Sequence, residues 1–440
     1  MTLNKRDAAV IWHPYTQHKT PDLPIAICSA KGAYIYDEKG QEYIDAIASW
    51  WVNIHGHSHP LIAERVYQQF QKLEHVMFAG FTHFPAIELA EKLLEKLPKN
   101  LGKIFYSDNG STAVEVAIKM AIQYWYNKGI TKTKIIAFKN GYHGDTFGAM
   151  SVSSRDNFTK PFIPFLFDVE FIDLPLKNKE AKSVKQLTEL AESGNVAAFI
   201  FEPLVQGAAG MVMYSPSILE ELLGICSKHN ILTIADEVFT GFGRTGKFFA
   251  IDHLQKVVDI VCLSKGITAG ALPLGVTACT NEIFNEFVSG DKAKTFFHGH
   301  SFTANPLACA AALANLELFE NPIVFDDIKR IEKKHEQFIK SLHGFKKTIR
   351  ELRKLGTILA IEISSDDETG YFNELKDYIY PFFIQRKIVI RPLGNIIYIV
   401  PPYCISDKDL DTIYSAIKEC LTLLKNGTLK SNLQQQWVNG

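Results

Sequence analysis

Several short apolar segments end in residues that can do chemistry. ILTIADE closes on Asp236 and Glu237, DIVCLSKG on Ser264 and Lys265, and VAAFIFEP on Glu202. KIFYSDNGS ends in Gly110-Ser111 before a helical stretch, and KIIAF leads to Gly141-Tyr142-His143-Gly144-Asp145. Each has an ordinary reading when taken alone. A lysine after a strand usually sits in solvent, an aspartate there often caps a helix, Gly-Ser often makes only a turn, and a tyrosine often only packs. Together they supply an amine, carboxylates, a small-residue helix start and an aromatic face. Lys condenses with aldehydes, and a carboxylate keeps a ring nitrogen protonated. A helix N-terminus takes a dianionic phosphate, and a tyrosine matches a flat ring. Pyridoxal 5'-phosphate (PLP) has all of these features and needs all of these partners.

These residues share a site only if their strands share a sheet edge. From about His59 to Leu316, helical stretches such as AIELAEKLLEKL and AVEVAIKMAIQYWY alternate with the short runs KIFYS, KIIAF, VAAFIFEP, ILTIADE and DIVCLSK. Apolar residues at i, i+3, i+4 and i+7 mark the helices. The alternation predicts a mostly parallel sheet covered on both faces, with ligands beyond the carboxyl ends of its strands. Before it, the segment to about Trp51 reads as strands and turns, with Asp37-Glu38-Lys39-Gly40 as a hairpin signal. After it, Asn321-Pro322 is a break, and IVFDDIKRIEKKHEQFIKSL is a long amphipathic helix. TILAIEI, IVIRPLG and IIYIVP then read as strands of a smaller α+β domain. The expected division is a segment 1–55 joining the small domain, a large α/β domain 56–320, and the small domain proper, 321–440. The polar end SNLQQQWVNG reads as frayed.

Composition sets limits on partners and compartment. The 440 residues allow, at roughly 100–200 per domain, about two or three domains with ample core. Lys plus Arg is 47 and Asp plus Glu 48, a balance that argues against a dedicated nucleic-acid binder. No apolar run reaches the roughly 18 residues of a membrane span. MTLNKRDAAVIWHPYTQ lacks the succession of a signal peptide. The seven cysteines are scattered without a C-x-x-C pair, so reduced, mostly buried thiols and a cytoplasmic location are expected.

Beyond single residues, whole blocks resemble a known family. These are Trp12-His13-Pro14-Tyr15-Thr16-Gln17, Ser49-Trp50-Trp51, Ser107-Asp108-Asn109-Gly110-Ser111, and Gly141 to Thr146. Further blocks are Glu202 to Gly207, Asp236 to Gly246, Ser264-Lys265-Gly266, Asn305 to Ala310, and Ile390-Arg391-Pro392. Over nearly its whole length the chain resembles the class III (omega-type) aminotransferases of fold type I. The paired Trp and the His-Pro-Tyr-Thr start narrow this to the branch using S-adenosylmethionine as amino donor and 8-amino-7-oxononanoate as acceptor, in biotin synthesis.

The resemblance implies roles. Lys265 would bond the cofactor and shuttle the proton, with Tyr15 beside it at the reacting centre. Asp236 would pair with the pyridine nitrogen, Val238 would pack under the ring and Tyr142 would stack above it. Gly110 and Ser111 would bind the phosphate, and Ser301 would reach it across the interface of a homodimer. The family more often has Pro-Thr where this chain has His300-Ser301; Ser301 keeps the hydroxyl. Arg391 would grip the keto acid's carboxylate, Trp50 and Trp51 would line the slot for its alkyl chain, and Tyr142, Gly299 and Tyr398 would complete the substrate site. Lysine stays open as the donor. So does a change of substrate to ornithine, 4-aminobutyrate or a polyamine. A non-catalytic protein of this fold is the reading from another class, and retention of Lys265 and Asp236 weighs against it.

Two other signals are weaker. Gly241-Phe242-Gly243-Arg244-Thr245-Gly246-Lys247 mimics nucleotide-binding patterns, but Phe248 stands where a P-loop needs Ser or Thr. It reads instead as a mobile glycine loop. His55, His57 and His59 alternate, but Pro60 follows and no Cys or paired carboxylate completes a metal set.

Overall fold

The computed structural model describes residues 2–19, 24–365 and 369–430; the segment SNLQQQWVNG lies outside them. Its centre is a seven-stranded sheet: β1 Leu101–Ser107, β2 Lys134–Phe138, β3 Glu170–Ile172, β4 Val196–Phe201, β5 Leu232–Asp236, β6 Ile260–Leu263 and β7 Gly275–Thr280. The order across the sheet is β1-β7-β6-β5-β4-β2-β3. Every residue of β4, β5 and β6 is buried, as a parallel strand covered on both faces requires, and this explains their unbroken apolar runs.

One strand departs from the parallel expectation. β7 runs antiparallel to both neighbours, with Leu263 opposite Val276 and Gly275 opposite Ser107. Its sequence GVTACT carries little strand signal, because Gly and Ala are depleted in strands. The consequence is local. An antiparallel neighbour needs no crossover helix, so the connection 264–274, which holds Lys265, turns back at the carboxyl edge of the sheet.

Helix α1, Gly110–Asn127, follows β1 directly. Asn109 caps it by accepting from the Thr112 amide, while the Thr112 hydroxyl oxygen accepts from the Asn109 amide. Helix α2, Pro306–Phe319, is buried almost all round, and α3, Ile323–Lys340, leaves it at 73° across the Asn321-Pro322 break. α3 buries Val324, Ile328, Ile331, His335 and Phe338, a single stripe at helical spacing.

The chain's two ends share a second sheet. Strands Ile27–Lys31, Tyr34–Asp37 and Glu42–Asp45 form an antiparallel meander, and Ile388–Val389 adds in parallel on the last of them. Asp37 takes the amides of Lys39 and Gln41, which fixes the expected hairpin turn. The strand expected in IVIRPLG stops at Val389, before Pro392, which has no N–H for a ladder. A third, antiparallel sheet holds Ile349–Leu355, Ile358–Ile363 and Ile396–Ile399. The opening segment also holds an unforeseen helix, Leu3–Val10, with no buried residue, built from the good helix formers Leu, Lys, Arg and Ala. Among the described residues no single helix is long and apolar enough to cross a membrane. All seven cysteines are free, and all but Cys28 and Cys404 are buried.

Candidate active site

At the carboxyl edge of the sheet lies a cavity of about 350 Å³, lined by Trp51, Gly110, Ser111, Tyr142, Asp236, Val238, Phe239 and Lys265 among others. Asp236 ends β5 and is 4% exposed. One of its oxygens accepts the Val238 amide at 3.1 Å, and the other meets His143 Nδ1 at 2.7 Å. Burial works against a charged His143, but Asp236 and the nearby Glu202 outweigh it and raise its pKa. The buried carboxylate is thereby fixed by one amide and one imidazole.

Lys265 follows β6 in a left-handed conformation, φ 47°, a strained geometry for a side chain of this size. Its Nζ lies 4.7 Å from the centre of the Trp51 ring and 5.8 Å from that of Phe239. Burial lowers its pKa to about 8, helped by Arg244 and opposed by Asp236 and Glu202. This lysine gives up its proton far more readily than an exposed one, and it is largely neutral only above about pH 8.

Glu202 closes β4 in the same net. Its two oxygens accept the amides of Tyr142 and Gly207 at 3.0 and 2.9 Å. Burial lifts its pKa to about 7, with His143 pulling it down and Asp236 pushing it up. Beside it, Gly110 opens α1. A Cβ there would stand 2.7 Å from Val238 Cγ1, so only glycine lets the helix start come this close. Gly144, at φ 133°, is equally constrained, because a Cβ would overlap the Ser111 side chain.

The chain's two ends build the rim. The Tyr15 hydroxyl donates to Asp145 at 2.6 Å, and Tyr142 donates to the same oxygen at 3.1 Å. Burial and the Asp145 bond push the Tyr15 pKa up to about 12, so it stays a phenol. The Arg391 guanidinium lies over the Trp50 indole, 4.7 Å from its centre, and donates to the Tyr15 carbonyl at 3.5 Å. Among the described residues it pairs with no carboxylate. Trp51 packs on Phe239 and donates from Nε1 to the Tyr398 hydroxyl at 3.2 Å. Ser49 and Trp51 have positive φ values of 59° and 69°. Asp45 holds this strained turn through the Ile47 and Ser49 amides, and Arg244 through the Trp51 carbonyl.

A family comparison decides the class. The family model described as "Aminotransferase class-III" matches residues 15–421.

The chain is a class III aminotransferase.

Its relatives extend across the same length. A Synechococcus elongatus protein named adenosylmethionine-8-amino-7-oxononanoate aminotransferase is 45% identical over 419 residues, covering 93% of this chain and 98% of that protein. The crystal structure of the enzyme of that name from Methanocaldococcus jannaschii superposes with a TM-score of 0.88 at 38% identity, covering 95% of this chain and 98% of that one. An (S)-enantioselective omega-transaminase from Thermomicrobium roseum gives 0.90 at 30% identity, covering 96% and 98%.

In this aminotransferase the residues expected from sequence fall into three groups. Gly110, Ser111, Tyr142, Asp236, Val238, Lys265 and Trp51 line one cavity. Tyr15, Trp50, Arg391 and Tyr398 adjoin it through the contacts above. Gly299 and Ser301 stand apart, in an exposed loop that does not line their own chain's cavity. Sequence reasoning did not assign site roles to His143, Asp145, Glu202 or Phe239. The first three are titratable residues at strand ends or in the Gly141–Thr146 block, and that placement was the available signal. Phe239 had none beyond its place after Asp236.

The signals set aside also have definite positions. His55 binds Asn315, and His57 binds Asp45. Residues 241–245 of the glycine loop are buried rather than part of a mobile surface loop, and Arg244 turns inward to the carbonyls of Pro401 and Trp51.

Proposed function

We propose that this aminotransferase moves an amino group from S-adenosylmethionine to 8-amino-7-oxononanoate, giving 7,8-diaminononanoate for biotin synthesis, with PLP as cofactor. Relatives across nearly the full chain carry the corresponding name. The observation that carries the reading is a pairing across one cavity: a buried carboxylate on an imidazole, and a lysine with a lowered pKa.

The residues fit the cofactor. Asp236 would take a pyridinium N–H, Lys265 the aldehyde carbon, Val238 and Tyr142 the two ring faces, and Gly110 and Ser111 the phosphate at the start of α1. That helix start admits no Cβ at Gly110, so a ligand's anionic group can approach the backbone closely. When bound, the cofactor supplies an electron sink that weakens a C–H bond next to the amine nitrogen. The protein's own work is proton traffic and orientation. Lys265 Nζ, neutral above about pH 8, accepts and returns the proton at the substrate carbon. Phe239 and Trp51 keep this amine in an apolar setting. His143 holds Asp236 in place through one carboxylate oxygen, and Glu202 fixes the backbone of Tyr142 and Gly207 beside it. Arg391 offers a guanidinium at the rim for a carboxylate, and Trp50 an indole face for an alkyl chain.

The remaining parts of the reading concern assembly and location. We propose a homodimer in which Ser301 contributes to the partner's phosphate site, in keeping with its position away from the cavity of its own chain. We propose that segment 1–55 joins the small domain 321–440 beside the large domain 56–320, a reading that the pairing of Ile388 with Ile44 supports for the segment's side of the division. The dispersed free cysteines support the cytoplasm.

The test is product analysis by mass spectrometry. Purified enzyme with PLP and 8-amino-7-oxononanoate is offered S-adenosylmethionine, lysine, ornithine or 4-aminobutyrate in turn. Formation of 7,8-diaminononanoate with S-adenosylmethionine is expected. Transfer from ornithine or 4-aminobutyrate alone would overturn the substrate assignment.

A further inference from the structure

Three aromatic side chains from two distant segments meet at the outer edge of the rim. Phe158 packs against the Tyr15 ring at 5.9 Å between centres, and it also meets Tyr371 at 4.8 Å and Phe372 at 5.0 Å. The interplanar angles are 64°, 67° and 39°, so no pair stacks face to face. Aromatic surface is left uncovered, since Phe158 is 38% exposed and Phe372 54%. Tyr371 lies within electrostatic range of Tyr15 and Tyr398, which makes the cluster continuous with the rim of the cavity.

The backbone around these rings is anchored. Buried Asn395 accepts the Gly370 amide at 3.2 Å and donates to the Ile363 carbonyl at 2.8 Å. Buried Asn373 donates its own amide to the Gly370 carbonyl at 3.0 Å, and its side chain accepts the Leu375 amide at 3.0 Å. Tyr371 and Phe372 therefore stand in a turn tied on both sides. Lys376, at the start of the helix Lys376–Gln385, places its Nζ 4.5 Å from the Tyr371 ring centre and 5.7 Å from that of Phe372. Across the contact, the Phe158 amide donates to Asp156 Oδ1 at 2.9 Å, a turn that sets the third ring. Exposed rings on an anchored frame lose little further freedom when a ligand stacks on them.

The two substrates differ in what such a surface can recognise. 8-Amino-7-oxononanoate is an aliphatic chain with a carboxylate, for which Trp50 and Arg391 are the fitting partners. S-adenosylmethionine carries a purine, and a purine gains affinity by stacking on an aromatic side chain. We propose that Phe158, Tyr371 and Phe372 form a stacking platform for the adenine of S-adenosylmethionine, and that Phe372 thereby selects this donor over an aliphatic one such as lysine. The occupant rests on the reading of S-adenosylmethionine as the donor. Phe158 touches both the platform and Tyr15, so it joins donor binding to the reacting centre. Phe372 has no ring contact with Tyr15, which makes it the cleaner residue to change.

Two measurements on the PLP-loaded enzyme test this. The first follows each half-reaction separately by visible absorbance after rapid mixing. Phe372→Leu keeps apolar bulk and removes the aromatic face. It should weaken the apparent affinity for S-adenosylmethionine about 5- to 100-fold, the range that base–aromatic stacking spans. Phe372→Trp should restore it. The apparent affinity of the amine-form enzyme for 8-amino-7-oxononanoate should fall far less in Phe372→Leu. Equal losses for both substrates, or no loss for the donor, would leave Phe372 a packing role and overturn the proposal. The second measurement needs no turnover: saturation-transfer NMR with adenosine as the probe. The purine protons should receive saturation from the wild-type enzyme and much less from Phe372→Leu. Absence of transfer from wild type would overturn the platform whichever donor serves. A wild-type enzyme that lysine converts and S-adenosylmethionine does not would sink the donor reading itself, and the adenosine experiment tells that result apart from a failure of the platform.

Discussion

Asp236 and Glu202 stand at the ends of neighbouring parallel strands and are 4% and 5% exposed; Tyr15 and Trp50 come from the N-terminal segment and are each 41% exposed. The first pair belongs to a wall in which each carboxylate oxygen has a partner. The second belongs to a rim where the Arg391 guanidinium rests on an indole face, with no carboxylate beside it among the described residues. A wall of this kind holds charge in fixed places, which is what a developing transition state requires. A half-exposed rim can admit two substrates of different shape in turn. The wall should therefore govern both halves of the reaction, and the rim should discriminate between them.

The largest break should come from the wall. Lys265→Ala should lower turnover by at least ~10³-fold with any donor, by the loss of the proton carrier; steady-state assay checks it. Asp236→Asn should cost ~10²–10³-fold in both half-reactions, because the fixed charge is gone. Rapid mixing with each substrate separately would show whether the loss is shared. On the rim, Arg391→Ala should raise KM for the keto acid by ~10–150-fold, the value of a charge-assisted bond, and should affect the donor half-reaction less. An equal loss in both would erase the distinction between wall and rim. Gly110→Ala pushes a methyl against Val238 and should weaken PLP binding by ~1–3 kcal/mol, seen in cofactor titration.

The smallest effect concerns stability. The Lys265 pKa is lowered from 10.5 to about 8 in the fold. Between these values the unfolded chain holds a proton that the folded chain lacks, so stability of the cofactor-free protein rises with pH across this window. Below about pH 8 the buried charge costs stability. Lys265→Met should therefore melt higher than wild type at about pH 7, and the gain should shrink as pH rises toward about 10.5.

The same wall and rim mark what the sequence makes legible. Asp236, Glu202 and Lys265 follow short apolar runs, and the rule that parallel sheets bind ligands at their carboxyl ends brings them together. Trp50, Tyr15 and Arg391 offer no such local cue. They meet through contacts between residues far apart in the chain, such as the Arg391 bond to the Tyr15 carbonyl, and only family resemblance pointed to them. β7 was illegible because Gly275, Thr277, Ala278 and Thr280 carry no strong apolar run, yet its direction turns the Lys265 loop back over the site. The Arg244 loop read as mobile because glycines punctuate it; its burial depends on carbonyls supplied from residues 51 and 401, which no local pattern announces.

The central claim is that one wall serves two substrates in succession. The direct measurement is the visible absorbance of the PLP-loaded enzyme mixed with S-adenosylmethionine alone, followed by 8-amino-7-oxononanoate. The account predicts that the donor bleaches the bound-cofactor band and that the keto acid restores it. A band untouched by S-adenosylmethionine but bleached by ornithine or 4-aminobutyrate would contradict it.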